Sequence, residues 1–126
     1  MKELTKAEEQ IMQYLWKLKK AFLKDIVEQF PEPRPAYTTV STVIRVLVTK
    51  KFIGFNTYGK IHEYFPLVSK SEYMGTQFKE TVKDYFNGSL TNFATFFAGD
   101  TNLNLTELEE IKRIVEEQIK KRTHNA

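Results

Sequence analysis

Apolar residues recur three and four positions apart through most of this chain, and the breaks in that rhythm divide it into elements. In "LTKAEEQIMQYLWKL", Ile11, Leu15 and Leu18 form one stripe, which Met12 and Trp16 widen. Thr5 stands at an N-cap position with Glu8 three residues on, the capping-box spacing, and Leu4 can staple the entry. Trp16 is expected in the core. "KKAFLKDIVEQFPEP" predicts a short second helix that buries Leu23, Ile26, Val27 and Phe30. Pro31, Pro33 and Pro35 stop it and stiffen the link that follows. "YTTVSTVIRVLVTKKF" is rich in β-branched residues, which favour strands. Yet Val40, Val43, Ile44, Leu47 and Val48 keep helical spacing, so a third helix is expected from Thr38 or Thr39 to Lys50. Its other face carries Thr38, Ser41, Thr42, Arg45 and Thr49.

The period then changes from helical to alternating. Two β-prone runs, Phe52 to Thr57 and Ile61 to Phe65, flank Tyr58-Gly59-Lys60, and Gly59 supplies the turn conformation that other residues resist. This is a hairpin, ended by Pro66. Beyond it, Met74, Phe78, Val82, Tyr85 and Phe86 mark a fourth helix from about Ser71, closed by Asn87-Gly88. Leu90, Phe93, Phe96 and Phe97 belong to a short helix or turn. A last helix carries Leu105, Leu108, Ile111, Val115 and Ile119, with Thr106 and Glu109 read as its capping box and Lys120, Lys121 and Arg122 at its C-terminal end.

Three helices with a trailing hairpin is the order of a winged helix-turn-helix, in which the third helix enters the DNA major groove. The fold class expected is mostly α with a small β-hairpin wing: an N-terminal winged helix-turn-helix over residues 1–70 and a C-terminal helical dimerisation domain over 71–126. The second part holds many large aromatics on few residues. Helical pieces this small rarely bury a core alone, so a second copy is expected to cover them. The alternative is that they pack back on the winged domain.

Composition sharpens this picture at three points. With 41% hydrophobic and 28% charged residues, the 126-residue chain is globular rather than disordered. The net charge of +3 is uneven: residues 1–70 hold 12 Lys/Arg against 7 Asp/Glu, and residues 71–126 hold 7 against 9. A basic first half suits nucleic acid. No cysteine is present, which removes disulfides and cysteine metal sites. The charged start "MKELTKAEEQ" does not look like a signal peptide, and no apolar run approaches the roughly 18 residues of a membrane span. A cytoplasmic protein without membrane insertion is expected.

Catalytic readings are weak, and no enzyme activity, cofactor or metal is expected. His62-Glu63 lacks the second histidine of a helical zinc motif, and His124, the one other histidine, lies in the tail. "DTNLNLTELEEI" imitates a calcium loop, but Leu105 occupies the position of the turn glycine and Ile111 that of the bidentate glutamate.

These pieces together resemble the penicillinase-repressor family, the BlaI/MecI/CopY-type transcriptional regulators. The matching stretches are "LTKAEEQIMQYLW", "KDIVEQF", "YTTVSTVIRVLVTKKFI", "GKIHEYFPLVSKSEY" and the tail "LTELEEIKRIVEEQ", nearly the whole chain. The resemblance implies a dimeric repressor on a palindromic operator of double-stranded DNA. Some such repressors are inactivated by a membrane sensor-protease system that cuts an Asn-Phe bond in the dimerisation part. Asn92-Phe93 lies in the corresponding neighbourhood, although plain core is the preferred reading of Phe93. Two departures stand out. Lys50-Lys51 replaces the Lys-Gly common where the third helix ends, and the C-terminal cysteine pairs of the copper-responsive branch are absent.

Thr38, Thr39, Ser41, Thr42 and Arg45 are then the candidate base-reading set: hydroxyls bond bases or phosphates, threonine methyls meet thymine methyls, and Arg can grip guanine. Lys50, Lys51 and Lys60 are candidates for phosphates, which add affinity without sequence information. Lys6 is open to a phosphate or to plain solvation, and Tyr37 to a phosphate or a packing role. The dimerisation set is Met74, Phe78, Val82, Tyr85, Phe86, Leu90, Phe93, Phe96, Phe97, Leu108, Ile111, Val115 and Ile119. The rival function is a winged-helix module that binds protein and not DNA.

Overall fold

The computed structural model describes residues 3–125. They form α1 (Lys6–Leu18), β1 (Ala21–Phe22), α2 (Leu23–Gln29), α3 (Tyr37–Thr49), β2 (Ile53–Tyr58), β3 (Ile61–Pro66), α4 (Lys70–Phe86), α5 (Leu90–Asp100) and α6 (Leu105–Asn125). The fold is mostly helical with a small antiparallel sheet, as expected. Two compact units are distinguished, residues 1–78 and 79–126.

In the first unit, α1 starts as its sequence specifies. The Thr5 Oγ1 accepts from the Glu8 N–H at 3.2 Å, and the Thr5 N–H donates to Glu8 Oε1 at 2.9 Å. Ile11, Met12 and Leu15 from α1, Ile26 and Val27 from α2, and Val40, Ile44 and Leu47 from α3 make one core. Leu23 and Phe30 of α2 pack on it half-buried. This shared burial is what lets a β-branched segment stay helical, since packing outweighs weak propensity. Trp16 packs on the core half-buried, and its indole N–H donates to the Val68 carbonyl at 2.8 Å. Tyr73, which sequence spacing did not single out, is buried, and its hydroxyl accepts from the Leu4 N–H at 3.0 Å.

The end of α3 is a Schellman closure. The Phe52 N–H donates to the Leu47 carbonyl at 2.9 Å and the Lys51 N–H to that of Val48 at 3.0 Å. Leu47 and Phe52 are both buried, the hydrophobic contact that accompanies the motif. The closure needs a left-handed residue at position 51, and Lys51 adopts it with φ 66°. A lysine pays a steric penalty there that glycine avoids. Lys51→Gly is therefore expected to stabilise the unit by about 0.5–1 kcal/mol after the extra entropy of glycine in the unfolded chain is subtracted. Urea denaturation checks the sign; a lower midpoint at unchanged slope would refute it.

The hairpin is tighter than expected. Tyr58 pairs with Ile61, so the loop is Gly59-Lys60 alone. Gly59, at φ 62°, takes the positive angle that this connection requires. The sheet has a third strand that the sequence did not reveal: β1 pairs with β3 through Ala21↔Tyr64 and Phe22↔Glu63, giving the order β1-β3-β2.

Helix α4 begins with a capping box between Ser69 and Glu72, again unforeseen, and ends where Asn87 and Gly88 both turn to positive φ. In the second unit, α5 is a full helix whose Ser89 cap accepts from the Asn92 N–H at 3.1 Å. The expected Thr106/Glu109 box of α6 is corrected. The cap is Asn104, whose side chain accepts from the Glu107 N–H at 2.8 Å while the Asn104 N–H donates to Glu107 Oε1 at 3.0 Å. Asparagine ranks above threonine at an N-cap, and the helix gains two residues from the earlier start.

Candidate nucleic-acid interface

Helix α3 packs Val40, Ile44 and Leu47 inward, which turns Thr38, Thr39, Thr42, Arg45, Val46 and Thr49 to solvent. Five of these six are polar, and Val46 is an exposed apolar residue that sequence spacing alone passed over. Its place one position after Arg45 on the outward arc was the available signal. Thr42 and Thr49 donate their hydroxyl protons back to the carbonyls of Thr38 and Arg45, at 2.9 and 3.1 Å. Ser41 departs from the expected face: it is half-buried and turned towards the sheet, beside His62 and Tyr64.

Arg45 has no ion pair or side-chain hydrogen bond among the described residues. It lies near the Tyr64 ring. Burial pushes the Tyr64 phenol above its usual value, and the Arg45 charge opposes that shift. Lys60 at the hairpin tip and Lys51 at the end of α3 are exposed, and no ion pair among the described residues involves either. Lys6 and Tyr37 are also exposed.

Lys50 is placed differently from Lys51 and Lys60. Its ammonium donates to both carboxylate oxygens of Glu8 at 2.9 Å, and the Glu8 side chain is only 6% exposed. Burial on its own would raise the Glu8 carboxyl, but the bonds from Lys50 and Thr5 outweigh it and hold the group below the usual glutamate value. Lys50 thus joins the C-terminal end of α3 to the start of α1 instead of standing free.

The second unit has its own assembly of aromatics. Phe86 meets Phe93 and Phe96 with ring centroids 5.7 and 5.6 Å apart, and Phe93 stacks on Phe97 at 5.7 Å. Phe86, Phe93, Phe97, Leu108 and Ile111 are half-buried and Val82 is buried. Tyr85, Leu90, Phe96, Leu105, Ile114, Val115 and Ile119 remain exposed, Tyr85 at 79%. In the first unit Met74 and Phe78 are exposed as well. Asn92 is exposed within the first turn of α5, and Phe93 follows it on the half-buried side.

Among the described residues no group of three His, Asp or Glu side chains is arranged to hold a metal ion. No described helix is long and apolar enough to cross a membrane.

A family profile described as penicillinase repressor matches residues 4–117. The methicillin resistance regulatory protein MecI of Mammaliicoccus sciuri is 27% identical over 114 residues, which cover 90% of this chain and 93% of that protein. The penicillinase repressor of Bacillus licheniformis is 21% identical over 116 residues, 91% of each chain. Among solved structures, the CopR repressor is 29% identical, with a TM-score of 0.45 over 54% of this chain and 100% of that one.

Proposed function

This chain belongs to the penicillinase repressor family, and we propose that it is a sequence-specific, DNA-binding transcriptional repressor that acts as a homodimer on a palindromic operator. The observation that carries the reading is the outward face of α3, where Arg45 has no ion pair or side-chain hydrogen bond among the described residues and stands amid small polar residues. A guanidinium without a carboxylate, on a helix of otherwise low profile, suits close approach to base edges in the major groove. Thr38, Thr39 and Thr42 offer acceptor lone pairs and methyl groups around it, and Ser41 stands at the inner margin of the set. Val46 is added to it as a contact for a thymine methyl. Lys51 and Lys60 serve phosphates; Lys50 is left out because Glu8 occupies its ammonium.

In this reading residues 1–70 bind DNA and residues 71–126 hold two copies together. A dimer doubles the recognition surface and makes the second half-site an intramolecular event. Repression then follows from occupancy of the promoter in the cytoplasm, with no chemistry performed on the DNA. Release follows from anything that weakens the dimer. Cleavage at Asn92-Phe93 by a membrane sensor-protease system is one such route, and it requires the first turn of α5 to unwind so that a protease can reach extended backbone.

Footprinting on the chain's own promoter tests the reading, with a two-fold symmetric protected site as the expected result. Arg45→Ala is expected to cost about 1–3 kcal/mol of operator affinity and to relax preference at one base pair of each half-site. Affinity should fall steeply with salt. A gel shift in which Arg45→Ala binds as the wild type does removes Arg45 from base reading. Absence of any duplex binding at low salt favours the protein-binding module instead.

A further inference from the structure

Between α3 and the hairpin lies a cavity of about 250 Å³. Buried Ile44 and half-buried Val48 give it an apolar base, and Phe55, His62 and Tyr64 wall it with rings 4.3 to 6.1 Å apart. Ser41 and Arg45 complete the lining. His62 is engaged with the Thr57 hydroxyl at 3.1 Å. The Ser41 hydroxyl, the Tyr64 phenol and the Arg45 guanidinium, by contrast, have no hydrogen-bond partner among the described residues. Three unused donors around an apolar, ring-walled space are a recognition arrangement with nothing in the fold to use it.

We propose that this cavity binds a small molecule made of one aromatic ring and a carboxylate, and that its occupancy competes with DNA for Arg45. Size sets the first half of that choice. An apolar cavity of about 150 Å³ accommodates a benzene ring, so the space here fits one ring and one small polar group. The walls favour a flat π-system, which gains offset or edge contacts with Phe55 and Tyr64. Charge sets the second half. The planar fork of Arg45 matches a carboxylate with two parallel hydrogen bonds, and the Ser41 and Tyr64 hydroxyls are further donors for the same oxygens. A neighbouring cavity of about 650 Å³ shares Ser41, His62 and Tyr64 and adds Lys24, Asp25 and Lys60, leaving space for a ring substituent. Only the competition rests on the DNA-binding reading; binding of the acid does not.

The test is a titration of the full-length, isotope-labelled protein with sodium benzoate, followed by amide NMR. Benzamide supplies the ring without the charge, and acetate the charge without the ring. Benzoate should bind with a Kd on the order of 1 mM, with shifts confined to Ser41, Arg45, Phe55, His62 and Tyr64. Benzamide and acetate should bind at least about tenfold more weakly. Val48→Phe fills the cavity and should abolish the benzoate response. Should that variant not fold, Tyr64→Phe keeps the shape, removes one donor and should weaken benzoate but not benzamide. Equal binding of benzoate and benzamide, shifts scattered over the surface, or a folded Val48→Phe that still responds overturns the site. Operator anisotropy at constant ionic strength then tests the competition. Unchanged operator affinity at saturating benzoate overturns the competition while leaving DNA binding intact. Absence of operator binding in the ligand-free protein overturns the DNA-binding reading, and the benzoate titration still decides the cavity.

Discussion

Lys50→Met is expected to lower the stability of the first unit by about 3 kcal/mol, because it strands the Glu8 carboxylate away from water without its cation. Glu8 is 4% exposed as a residue and Lys50 26% as a side chain, so water can replace little of what is lost. For a unit of this size, such a loss corresponds to a fall in Tm of about 12–24 °C. The methylene stem of Lys50 is retained as the Met side chain, so lost packing contributes little.

The pH dependence separates this account from a packing defect. In the wild type, the depressed Glu8 carboxyl contributes stability that is fully present above the unfolded glutamate value of about 4.3. That contribution is lost as pH falls through the lower, folded value. In the variant the Lys50 contribution is gone and only the Thr5 bonds oppose burial, so the carboxyl rises relative to the wild type and the variant is least handicapped where Glu8 is protonated. The stability gap between the two proteins should therefore shrink as pH is lowered from 7 towards about 4. Chemical denaturation across that range measures it, and a gap independent of pH would assign the loss to packing.

The paired substitution Val115→Glu with Ile119→Glu on α6 is expected to yield a folded monomer that binds operator at least about 100-fold more weakly. Both residues are more than half exposed in a single copy, at 51% and 59%, so the new carboxylates stay hydrated in the protomer and its fold is spared. In a dimer that buries the α6 stripe, the same carboxylates would be trapped without partners, at a cost well beyond the burial energy they replace. Sedimentation at micromolar concentration reads the oligomeric state, and anisotropy with one-half-site and full operators reads the affinity. If the variant still sediments as a dimer, the stripe on α6 is not the dimer seam. If it is monomeric yet binds the full operator with undiminished affinity, the coupling of dimerisation to DNA binding fails.

What was readable in the sequence was what depends on neighbours three or four residues away. Thr5 and Glu8 announce the start of α1, and Val40, Ile44 and Leu47 announce the buried side of α3, because helix geometry alone brings those residues together. The same local logic misplaced the cap of α6: Asn104/Glu107 and Thr106/Glu109 both satisfy the spacing, and only the backbone shows which is used. Strand β1 is two residues long and has no period to detect; it exists because β3 lies beside it. On the candidate DNA face, exposure of Thr38, Thr39, Thr42 and Arg45 follows from periodicity. The tie between Lys50 and Glu8, 42 residues apart, does not. Nor does the inward turn of Ser41, which depends on where the sheet is laid. The glycine-like angle of Lys51 was foreshadowed by its position at the end of the helix, although a lysine there carries no sign of it.

The two-residue strand β1 also sets how the hairpin breathes. It grips β3 at Glu63 and Tyr64, midway along the strand, and leaves the tip with backbone pairing between β2 and β3 only, beside one ring contact of Tyr58 with Phe22 at 6.4 Å. A two-stranded ribbon by itself is marginal in water. Amide hydrogens near the tip should therefore exchange through small local openings. Those beside Tyr64, sandwiched between two strands, should exchange only when the whole unit unfolds. The wing is in effect a lever clamped at mid-length, and Lys60 rides on its outer end. Any partner that Lys60 engages must quiet that end, so part of the binding energy goes into lost motion, and the amides of the tip should record it as new protection.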